Sequence, residues 1–357
     1  MFRLLMATGM LTLASGTAIA QGAFSVIAES STGTSPVLGI SANGSVVVGV
    51  SDGRVFRWSK DQGLTYISPR DVLHTFYASM SADGSTIVAS VADSSGIFSA
   101  ARWTEQGNGW QTLGGLPDQS SPDGAEISSG WGVSGDGSTV VGLGWHTNYT
   151  AEAFQWKEAT GMVGLGQPPA SRRSSRASAI SADASTVVGF CEHPSFGYRR
   201  AVRWVNGGAP DLFLGEDMVG EAQAANSSGS VIVGAAALSG NGNRAFLYSD
   251  ANGVQDLGII GDDPYGFSQS VANGVSDNNT VVGWVGDIFY GSPQGFVWTP
   301  DGGMVFVNDY LASNGVAVPA EWYILSVTAI SADGKTIGGQ AINLNRLAYA
   351  GWVATVP

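Results

Sequence analysis

The chain contains three histidines, and each lies in a segment that also carries aromatic residues. An imidazole side chain can bind a metal ion, or act as an acid or base near neutral pH. The histidines lack H-x-H or H-E-x-x-H spacing, so we predict no metal and no cofactor. Exposed or packing histidines are the alternative interpretation. The three segments are HTFY (74–77) with His74, GWHTNYT (144–150) with His146, and CEHPSFGYRR (191–200) with His193.

Two residues that follow His193 raise an enzymatic hypothesis. Tyr198 and Arg199 lie in the same segment as this histidine. A polysaccharide lyase needs a histidine or tyrosine base and a cation that neutralises the carboxylate of a uronate sugar. His146, His193, Tyr198 and Arg199 supply these groups, provided that they converge on one cavity. The alternative function is therefore a polysaccharide lyase that acts on an acidic, uronate-containing glycan.

Aromatic residues in these segments favour binding without catalysis. Their rings can stack on sugar rings or anchor a protein partner. The chain has no Walker loop, dinucleotide fingerprint, C-x-x-C pair or G-x-S-x-G nucleophile elbow. We therefore expect a non-enzymatic protein that binds a glycan or a protein ligand. The predicted ligand-binding residues are Trp145, His146, Tyr149, Phe196, Tyr198, Arg199, Phe289 and Tyr290, with Trp322 and Tyr323 as further candidates.

A group of arginines adds a possible preference for acidic ligands. Guanidinium groups form paired hydrogen bonds with carboxylates, which suits an acidic polysaccharide. The alternative is that these are exposed arginines that serve only the solubility of an acidic protein. The group consists of Arg172, Arg173, Arg176, Arg199 and Arg200.

A repeated phrase determines the elements that must position these segments. Clear copies are GISANGSVVVG (39–49), SMSADGSTIVA (79–89), GVSGDGSTVVG (132–142), AISADASTVVG (179–189) and ISADGKTIGG (330–339); AANSSGSVIVG (224–234) and GVSDNNTVVG (274–283) are looser. Their anchor residues, spaced by 40 to 55 positions, are Ser41, Ser81, Ser134, Ser181, Asn226, Ser276 and Ser331. A repeat of this length with several strands is typical of a propeller blade, whereas a β-solenoid coil is shorter.

Each unit has the same internal order of four short segments. In most units an Asn-Gly or Asp-Gly pair follows the first segment and predicts a type I′ hairpin turn. A β-branched return strand comes next, then a strand ending in an aromatic residue, then a strand that often ends in Leu-Gly. We therefore predict an all-β, seven-bladed β-propeller. The repeated residues Trp58, Trp103, Trp156, Trp204, Trp298 and Trp352 are predicted to pack in its core.

The two ends of the repeat array predict how the ring closes. Only residues 353–357 follow the aromatic residue of the seventh unit, so that unit lacks a fourth strand. The segment AFSVIAE (23–29) precedes the first unit without a partner. We expect it to complete the last blade. Strand alternation then places the long aromatic loops on one face of the ring and the short glycine-rich turns on the other.

The recurring pattern I/V-S-x-D/N-G-x-x-V-V-G, followed by A-F-x-W and G-x-x-x-L-G, resembles the extracellular HAF-repeat family of bacterial proteins. The resemblance extends over residues 35–357. In place of the His-Ala-Phe tripeptide, the chain has Glu152-Ala153-Phe154 and Arg244-Ala245-Phe246. The resemblance implies an exported, propeller-like repeat protein of largely unassigned function, and it supplies no catalytic residues.

The first twenty residues have the pattern of a secretory signal peptide. Arg3 provides the positive start, a short apolar run follows, and Ala18-Ile19-Ala20 is a cleavage site. We therefore expect residues 1–20 to be removed and residues 21–357 to form one extracellular or periplasmic propeller domain. A monomer is expected.

Charge and cysteine content exclude several partners. The formal net charge of -13 disfavours nucleic acid, because phosphate binding depends on clustered Lys and Arg. No apolar run has the length of a membrane span. The single cysteine, Cys191, can form no internal disulfide and has no evident catalytic partners.

Overall fold

The computed structural model describes residues 22–30, 33–68, 77–107, 109–119, 121, 124–168, 173–239, 242–261, 267–287 and 293–357. The predicted signal peptide, and the nominated residues His74, Arg172, Phe289 and Tyr290, lie outside these ranges.

The described chain forms seven antiparallel sheets. Strand β1 (Ala23–Ser30) precedes the first blade. Blade 1 has β2 (Val37–Ile40), β3 (Val46–Ser51), β4 (Arg54–Ser59) and β5 (Gly63–Tyr66); blade 2 has β6 (Ser79–Met80), β7 (Thr86–Ala92), β8 (Phe98–Thr104) and β9 (Trp110–Thr112). Blade 3 has β10 (Ser128–Val133), β11 (Thr139–Trp145), β12 (Ala151–Lys157) and β13 (Gly161–Gly164); blade 4 has β14 (Ser175–Ile180), β15 (Thr186–Glu192) and β16 (Arg199–Val205).

The remaining elements complete the ring. Blade 5 has β17 (Gly220–Ala225), β18 (Ile232–Ala236), β19 (Arg244–Ser249) and β20 (Gly253–Asp256); blade 6 has β21 (Ser268–Val275), β22 (Val281–Asp287), β23 (Gln294–Thr299) and β24 (Gly303–Phe306). Helix α1 (Val307–Ser313) follows, and blade 7 has β25 (Trp322–Ile330), β26 (Thr336–Asn343) and β27 (Ala348–Thr355). The prediction of an all-β, seven-bladed propeller is confirmed.

The N-terminal strand closes the ring, as predicted. β1 pairs antiparallel with β27, from Ala23 opposite Thr355 to Ser30 opposite Tyr349. The last sheet therefore has the order β1-β27-β26-β25 and contains both ends of the repeat array. The ring of Phe24 stacks on the buried Trp352 with 5.6 Å between their centroids. Closure pairs the outer edge of β27, which would otherwise be open to other chains.

Blade 4 departs from the prediction of four strands per unit. Its sheet has three strands, and a single bridge between Arg203 and Asp211 takes the place of the fourth. The intervening segment is Gly207-Gly208-Ala209-Pro210, in which Gly207 has a φ of 69°. Proline has no N–H to donate to a strand ladder, and glycine adopts this φ without steric cost. The Leu214-Gly215 pair of this unit therefore does not end a strand.

The recurring Gly of the return strand and the recurring Phe of the third strand fit each other. In blade 3, Gly142 of β11 lies opposite Phe154 of β12. A Cβ on Gly142 would lie 2.0 Å from the Ser129 carbonyl oxygen and 2.9 Å from Phe154 Cε1. Phe154 is fully buried. The absence of a side chain at the glycine thus lets the aromatic ring pack against the strand.

The repeated tryptophans belong to the core, as predicted. Trp156, Trp204, Trp298 and Trp352 are buried. Trp58 and Trp103 are half-buried and pack against the apolar clusters of the first two blades. These residues fill the space between sheets.

The repeated phrase builds a turn, but not the type I′ turn that its Asn-Gly and Asp-Gly pairs predict. In blade 3 the Gly137 N–H donates to the Ser134 carbonyl at 2.9 Å, and Gly137 has a φ of 74°. Asp136 is not among the residues with positive φ. Its carboxylate instead accepts hydrogen bonds from the Ser134 hydroxyl at 2.6 Å and the Ser138 N–H at 3.0 Å. Hydrogen bonds of this kind from an Asp side chain stabilise a turn in which the Asp keeps a negative φ, so only the glycine adopts the left-handed conformation.

The same phrases also connect neighbouring blades. At five of the seven anchors the following residue donates its backbone N–H towards the equivalent turn of the next blade, and in blade 4 the donor lies one residue later. The bonds are Ala42 to Ala82 (2.8 Å), Ala82 to Gly135 (2.9 Å), Gly135 to Ala182 (2.9 Å), Asp277 to Ala332 (2.9 Å), and two offset versions, Asp183 N–H to the Ser227 carbonyl (3.1 Å) and Ser227 N–H to the Asp277 carboxylate (2.9 Å). The phrase recurs because it makes both the hairpin turn and the contact that holds blades together on this face.

Replacement of an anchor serine is expected to destabilise the ring measurably. Ser134 is fully buried, and its hydroxyl accepts the Thr139 N–H at 3.0 Å. Ser134→Ala leaves that buried N–H unpaired, so we expect a loss of about 1–3 kcal/mol in the free energy of unfolding. Urea denaturation measures the loss. The control is Ser94→Ala, an exposed hydroxyl, and equal denaturation midpoints for the two variants would contradict the anchor role.

This loss should depend on pH. The hydrogen bond from Ser134 is the largest cause that holds the pKa of Asp136 below 3.8, followed by the backbone of Ser138. A carboxylate with a lowered folded-state pKa stabilises the fold above its unfolded pKa, and the contribution disappears as the pH falls through the folded pKa. The difference between wild type and Ser134→Ala should therefore shrink below a pH of about 3.8, the ordinary pKa of the group.

Candidate functional site

The long loops, between second and third strands and between blades, lie on the face opposite the repeated phrases. His146 lies there, in the β11–β12 loop, between two carboxylates. Its Nδ1 is 2.7 Å from Asp118 Oδ1 and its Nε2 is 2.9 Å from Glu152 Oε2. Burial alone would lower the pKa of His146, but the hydrogen bonds and charges of Asp118 and Glu152 outweigh it and raise the pKa above 6.5. Both ring nitrogens are thus occupied by carboxylates.

A titration of His146 provides a test of this arrangement. Because its folded-state pKa is raised, the protonated ring stabilises the fold fully below pH 6.5, and this contribution disappears as the pH rises through the folded pKa. NMR titration of the imidazole C–H signals should give a pKa above 6.5 in the wild type and a lower one in Glu152→Gln. Glu105→Gln, a carboxylate in blade 2 that pairs with Arg57, is the control. A wild-type pKa at or below 6.5 would refute the assigned geometry.

Three aromatic rings form a cluster in the β15–β16 loop. His193 lies 5.0 Å from Phe196 and 4.7 Å from Tyr198, centroid to centroid, and Phe196 and Tyr198 are 6.1 Å apart and nearly parallel. The backbone N–H groups of Ser195 and Phe196 both donate to His193 Nδ1 at 3.2 Å, which holds the loop around the imidazole. Phe196 is 77% exposed. We call His193, Phe196 and Tyr198 the aromatic platform.

A column of charged and aromatic groups leads from the platform towards the ring axis. Arg199 Nη1 is 2.8 Å from Glu221 Oε2, and the other oxygen of Glu221 accepts from Arg176. The Arg176 guanidinium lies 3.6 Å from the centroid of Trp131, whose ring is 3.8 Å from that of Tyr77. Both groups are in van der Waals contact with the indole. Trp131 is therefore held by Arg176 and Tyr77 together.

The arginine group is only partly exposed, contrary to the solubility interpretation. Arg176 and Arg200 are buried, with 8% and 4% of their surface exposed. Arg200 donates to the carbonyl oxygens of Glu216 and Glu192, and Arg173 to that of Pro194. These side chains brace loops of blade 4. Arg199 remains accessible but is already paired with Glu221.

The other nominated residues have separate surroundings. Trp145 is half-buried and donates its Nε1–H to Glu126 at 3.1 Å. Tyr149 lies at the tip of the β11–β12 loop, 70% exposed, with a φ of 64°. Cys191 is buried, which raises the pKa of its thiol to about 12, so the thiol is protonated near neutral pH. Trp322 is buried, and Tyr323 half-buried, on the inner strand of blade 7.

The convergence that a lyase requires is thus incomplete among the described residues. His193, Tyr198 and Arg199 are neighbours, whereas His146 has its contacts with Asp118 and Glu152. None of these four residues lines the cavity that the inner strands enclose at the axis of the ring. No group of three or more His, Cys, Asp or Glu within the described ranges could hold a metal ion. The lyase hypothesis and the nominated ligand-binding residues remain predictions.

The inner strands of the seven blades surround a central channel of about 790 Å³. Tyr77, Gly286, Asp287 and Pro293 mark the end that opens on the long-loop face. Asp287 is the one charged residue among its described lining residues. The rest of the lining consists of aliphatic, aromatic, amide and hydroxyl side chains. The channel is large enough for a small ligand.

A β-bulge recurs at the channel wall. In six blades the pairing of the inner strand with its neighbour skips the residue three positions before the anchor, and in blade 7 it also skips Leu325. Bulges re-aim a side chain and are frequent near binding sites. Blade 2 has Ala78 at this position, just before β6. These seven residues, which we call the bulge ring, all line the channel: Leu38, Ala78, Trp131, Ser178, Gln223, Asn273 and Thr328.

Sequence reasoning missed the bulge ring and the column behind it. A signal was present, because the position three before the anchor varies in chemistry while the phrase around it repeats. Variation at one fixed position of a repeat marks a site that the scaffold leaves free. The prediction missed it because side chains were assigned to sheet faces by strict alternation along each strand, and a bulge breaks that alternation.

Comparisons with known proteins agree with the fold and go no further. No protein-family model matches the chain, and no curated protein matches it significantly. An oligogalacturonate lyase in complex with manganese aligns with a TM-score of 0.57 at 13% identity, over 94% of this chain and 96% of that one. A prolyl endopeptidase aligns with a TM-score of 0.55 at 10% identity, over 91% of this chain but 50% of that one.

A TolB from Acinetobacter baumannii aligns with a TM-score of 0.45 at 10% identity, over 88% of this chain and 81% of that one. Across the described residues, no helix has the length and apolar character needed to cross a membrane. At these identities, the two alignments with a TM-score above 0.5 show a shared fold. We conclude that this chain is similar in fold to the oligogalacturonate lyase and to part of the prolyl endopeptidase along most of its own length.

Proposed function

We propose that this chain is an exported, non-enzymatic β-propeller that binds a glycan through the aromatic platform on its long-loop face. The observation that carries the proposal is the exposure of Phe196 in parallel alignment with Tyr198. An exposed, preorganised pair of rings offers the apolar faces on which sugar rings stack. Arg199 follows Tyr198 in the sequence and is exposed, so its guanidinium can add a hydrogen-bond donor.

The proposal also includes export of the protein and a relationship to the HAF-repeat family. The signal-peptide pattern in residues 1–20 and the resemblance to the extracellular HAF-repeat family support an extracellular or periplasmic location. A glycan is favoured over a protein partner because the platform is narrow. Large apolar patches, rather than a few rings, are typical of protein interfaces.

A glycan array, followed by calorimetry on the best ligand, tests the proposal. Phe196→Ala and Tyr198→Ala should each weaken binding by about tenfold, since each removes a stacking surface. The matched control is Leu344→Ala, which changes an apolar residue that is 54% exposed in the β26–β27 loop on the same face. Unchanged affinity in both platform variants, or pull-down of a protein that requires Phe196, would overturn the proposal.

The lyase remains the second candidate, and one observation favours it. His193 and Tyr198 stack at 4.7 Å, and Arg199 follows Tyr198 in the sequence, so a candidate base and a cation belong to the same segment. The oligogalacturonate lyase is similar to this chain in fold alone. Incubation with polygalacturonate and alginate distinguishes the two functions. Ultraviolet absorbance from unsaturated products that is lost in Tyr198→Phe would support the lyase. The absence of such absorbance would favour the binding function.

A further inference from the structure

The bulge ring divides into two chemically different halves. Blades 4 to 7 supply the polar residues Ser178, Gln223, Asn273 and Thr328, and blades 1 to 3 supply Leu38, Ala78 and Trp131. The division is continuous around the ring, because the blades follow one another in chain order. One wall of the channel is thus polar and the opposite wall is apolar and aromatic.

The polar wall is built for uncharged hydrogen-bonding groups. Amides both donate and accept, as do the hydroxyl groups of a sugar. Asn273 donates its amide N–H to the Val327 carbonyl at 3.0 Å, which fixes the side chain and leaves its amide oxygen directed elsewhere. Gln340 also lines the channel, and its buried Nε2 has no hydrogen-bond partner among the described residues. A buried donor of this kind is costly unless a ligand or solvent satisfies it.

The apolar wall carries an aromatic surface at the entrance. Tyr77 is 43% exposed, and its ring lies 3.8 Å from that of Trp131, tilted by 36°. The Arg176 guanidinium lies over the ring of Trp131 and is itself held by Glu221. These contacts hold the indole in place, and both Tyr77 and Trp131 line the channel. A ring with one apolar face can stack there while its edge meets the amides.

The charge of the lining selects against acids. None of the described lining residues is Lys or Arg, and Asp287 lies at the entrance. Arg176 is behind Trp131, not in the lining, and is neutralised by Glu221. A carboxylate ligand would lose its hydration without gaining a cation. A neutral ligand meets no such penalty.

We infer that the channel is a second binding site, which takes one or two neutral sugar residues with hydroxyls on Gln223 and Asn273 and an apolar face on Tyr77. The inference rests on the proposed function only in the class of ligand, because the site is separate from the aromatic platform. In this site, the variable residue three positions before each anchor determines which ligand binds. The channel opens on the same face as the platform, so one glycan chain can reach both.

Calorimetry and saturation-transfer NMR test this with glucose, galactose, mannose, cellobiose, maltose and lactose as neutral probes and digalacturonate as the acidic one. The full mature chain should bind at least one neutral probe and bind digalacturonate more weakly. Gln223→Leu should weaken the neutral probe by about tenfold, since it deletes hydrogen bonds to a sugar. Gln255→Leu, an exposed amide on β20, is the matched control and should leave affinity unchanged.

A variant that adds a positive charge distinguishes loss of the site from misfolding. Gln223→Lys should lose the neutral probe and gain digalacturonate, a change that a damaged fold cannot produce. The titrations are repeated in the Phe196→Ala background, in which the aromatic platform is removed, so binding that remains there and is weakened by Gln223→Leu belongs to the channel. Failure of the platform and failure of the channel therefore give different results. Binding of no neutral probe, preference of the wild type for digalacturonate, or equal affinities for Gln223→Leu and Gln255→Leu would overturn the inference.

Discussion

Removal of residues 22–30 is expected to unfold the propeller. The deletion removes β1 from the last sheet, so seven residues of β27 lose their strand partners. It also removes the buried side chains of Ile27 and Ala28. Lost strand pairing at about 1 kcal/mol per hydrogen bond, plus the lost apolar burial, amounts to roughly 5 kcal/mol or more. Domains of this kind are stable by about 5–15 kcal/mol in total, so most of the stability disappears. Urea denaturation and size-exclusion chromatography measure the loss and the aggregation at the opened edge.

A rearranged chain separates the role of the strand from that of its position. Ala23 lies opposite Thr355, so a short linker from Pro357 to Gly22 would join β27 and β1 as a direct hairpin. The chain that begins at residue 33 and ends with this added hairpin should recover near wild-type stability. A truncated protein with an unchanged denaturation midpoint would refute the closure role, and so would a rearranged chain no more stable than the truncation.

Trp352→Ala is expected to be the most damaging single substitution in the repeated aromatic set. Trp352 is fully buried, stacks on Phe24, and belongs to the cluster that joins blades 6 and 7. Its Nε1 has no hydrogen-bond partner within the described ranges, so the packing of its ring carries the expected effect. Truncation of a buried tryptophan costs about 3–5 kcal/mol in the free energy of unfolding. Chemical denaturation at equilibrium measures it.

The repeat provides its own matched control. Trp58 has the equivalent position in blade 1 but is only half-buried, so Trp58→Ala should cost clearly less. If the two alanine variants had equal denaturation midpoints, burial at the closing blade would not explain the stability. Since β1 contacts Trp352 through Phe24, the effects of Trp352→Ala and of the β1 deletion should also be less than additive.

Much of the fold was predictable from the residues because its determinants are local. An anchor serine, an Asp or Asn two positions later and a following glycine make a turn from contacts within about five residues, and this turn recurs in the sequence as a visible phrase. The leftover segment 23–29 and the missing strand of the seventh unit together predicted the closure that β1 makes. The turn type was wrong because the Asp side chain, rather than its φ, satisfies the backbone.

The candidate sites depended on contacts that no local pattern records. Arg176 pairs with Glu221 and stacks on Trp131, and both partners lie about one repeat away in the sequence. The aromatic platform lies within a single loop, so its residues are close in the sequence as well as in space, and their role in ligand binding stays a prediction. His146 and His193 looked equivalent in sequence but have different partners.

By itself, the sequence determined the number of blades, the turn-bearing face and the strand that closes the ring, because each depends on residues a few positions apart or on a count of repeats. The tertiary structure alone decided which side chains face the axis, which arginines are buried and how the polar and apolar walls are divided. The physical reason is that a bulge shifts a side chain from one sheet face to the other, and only the closed ring brings seven such positions together around one cavity.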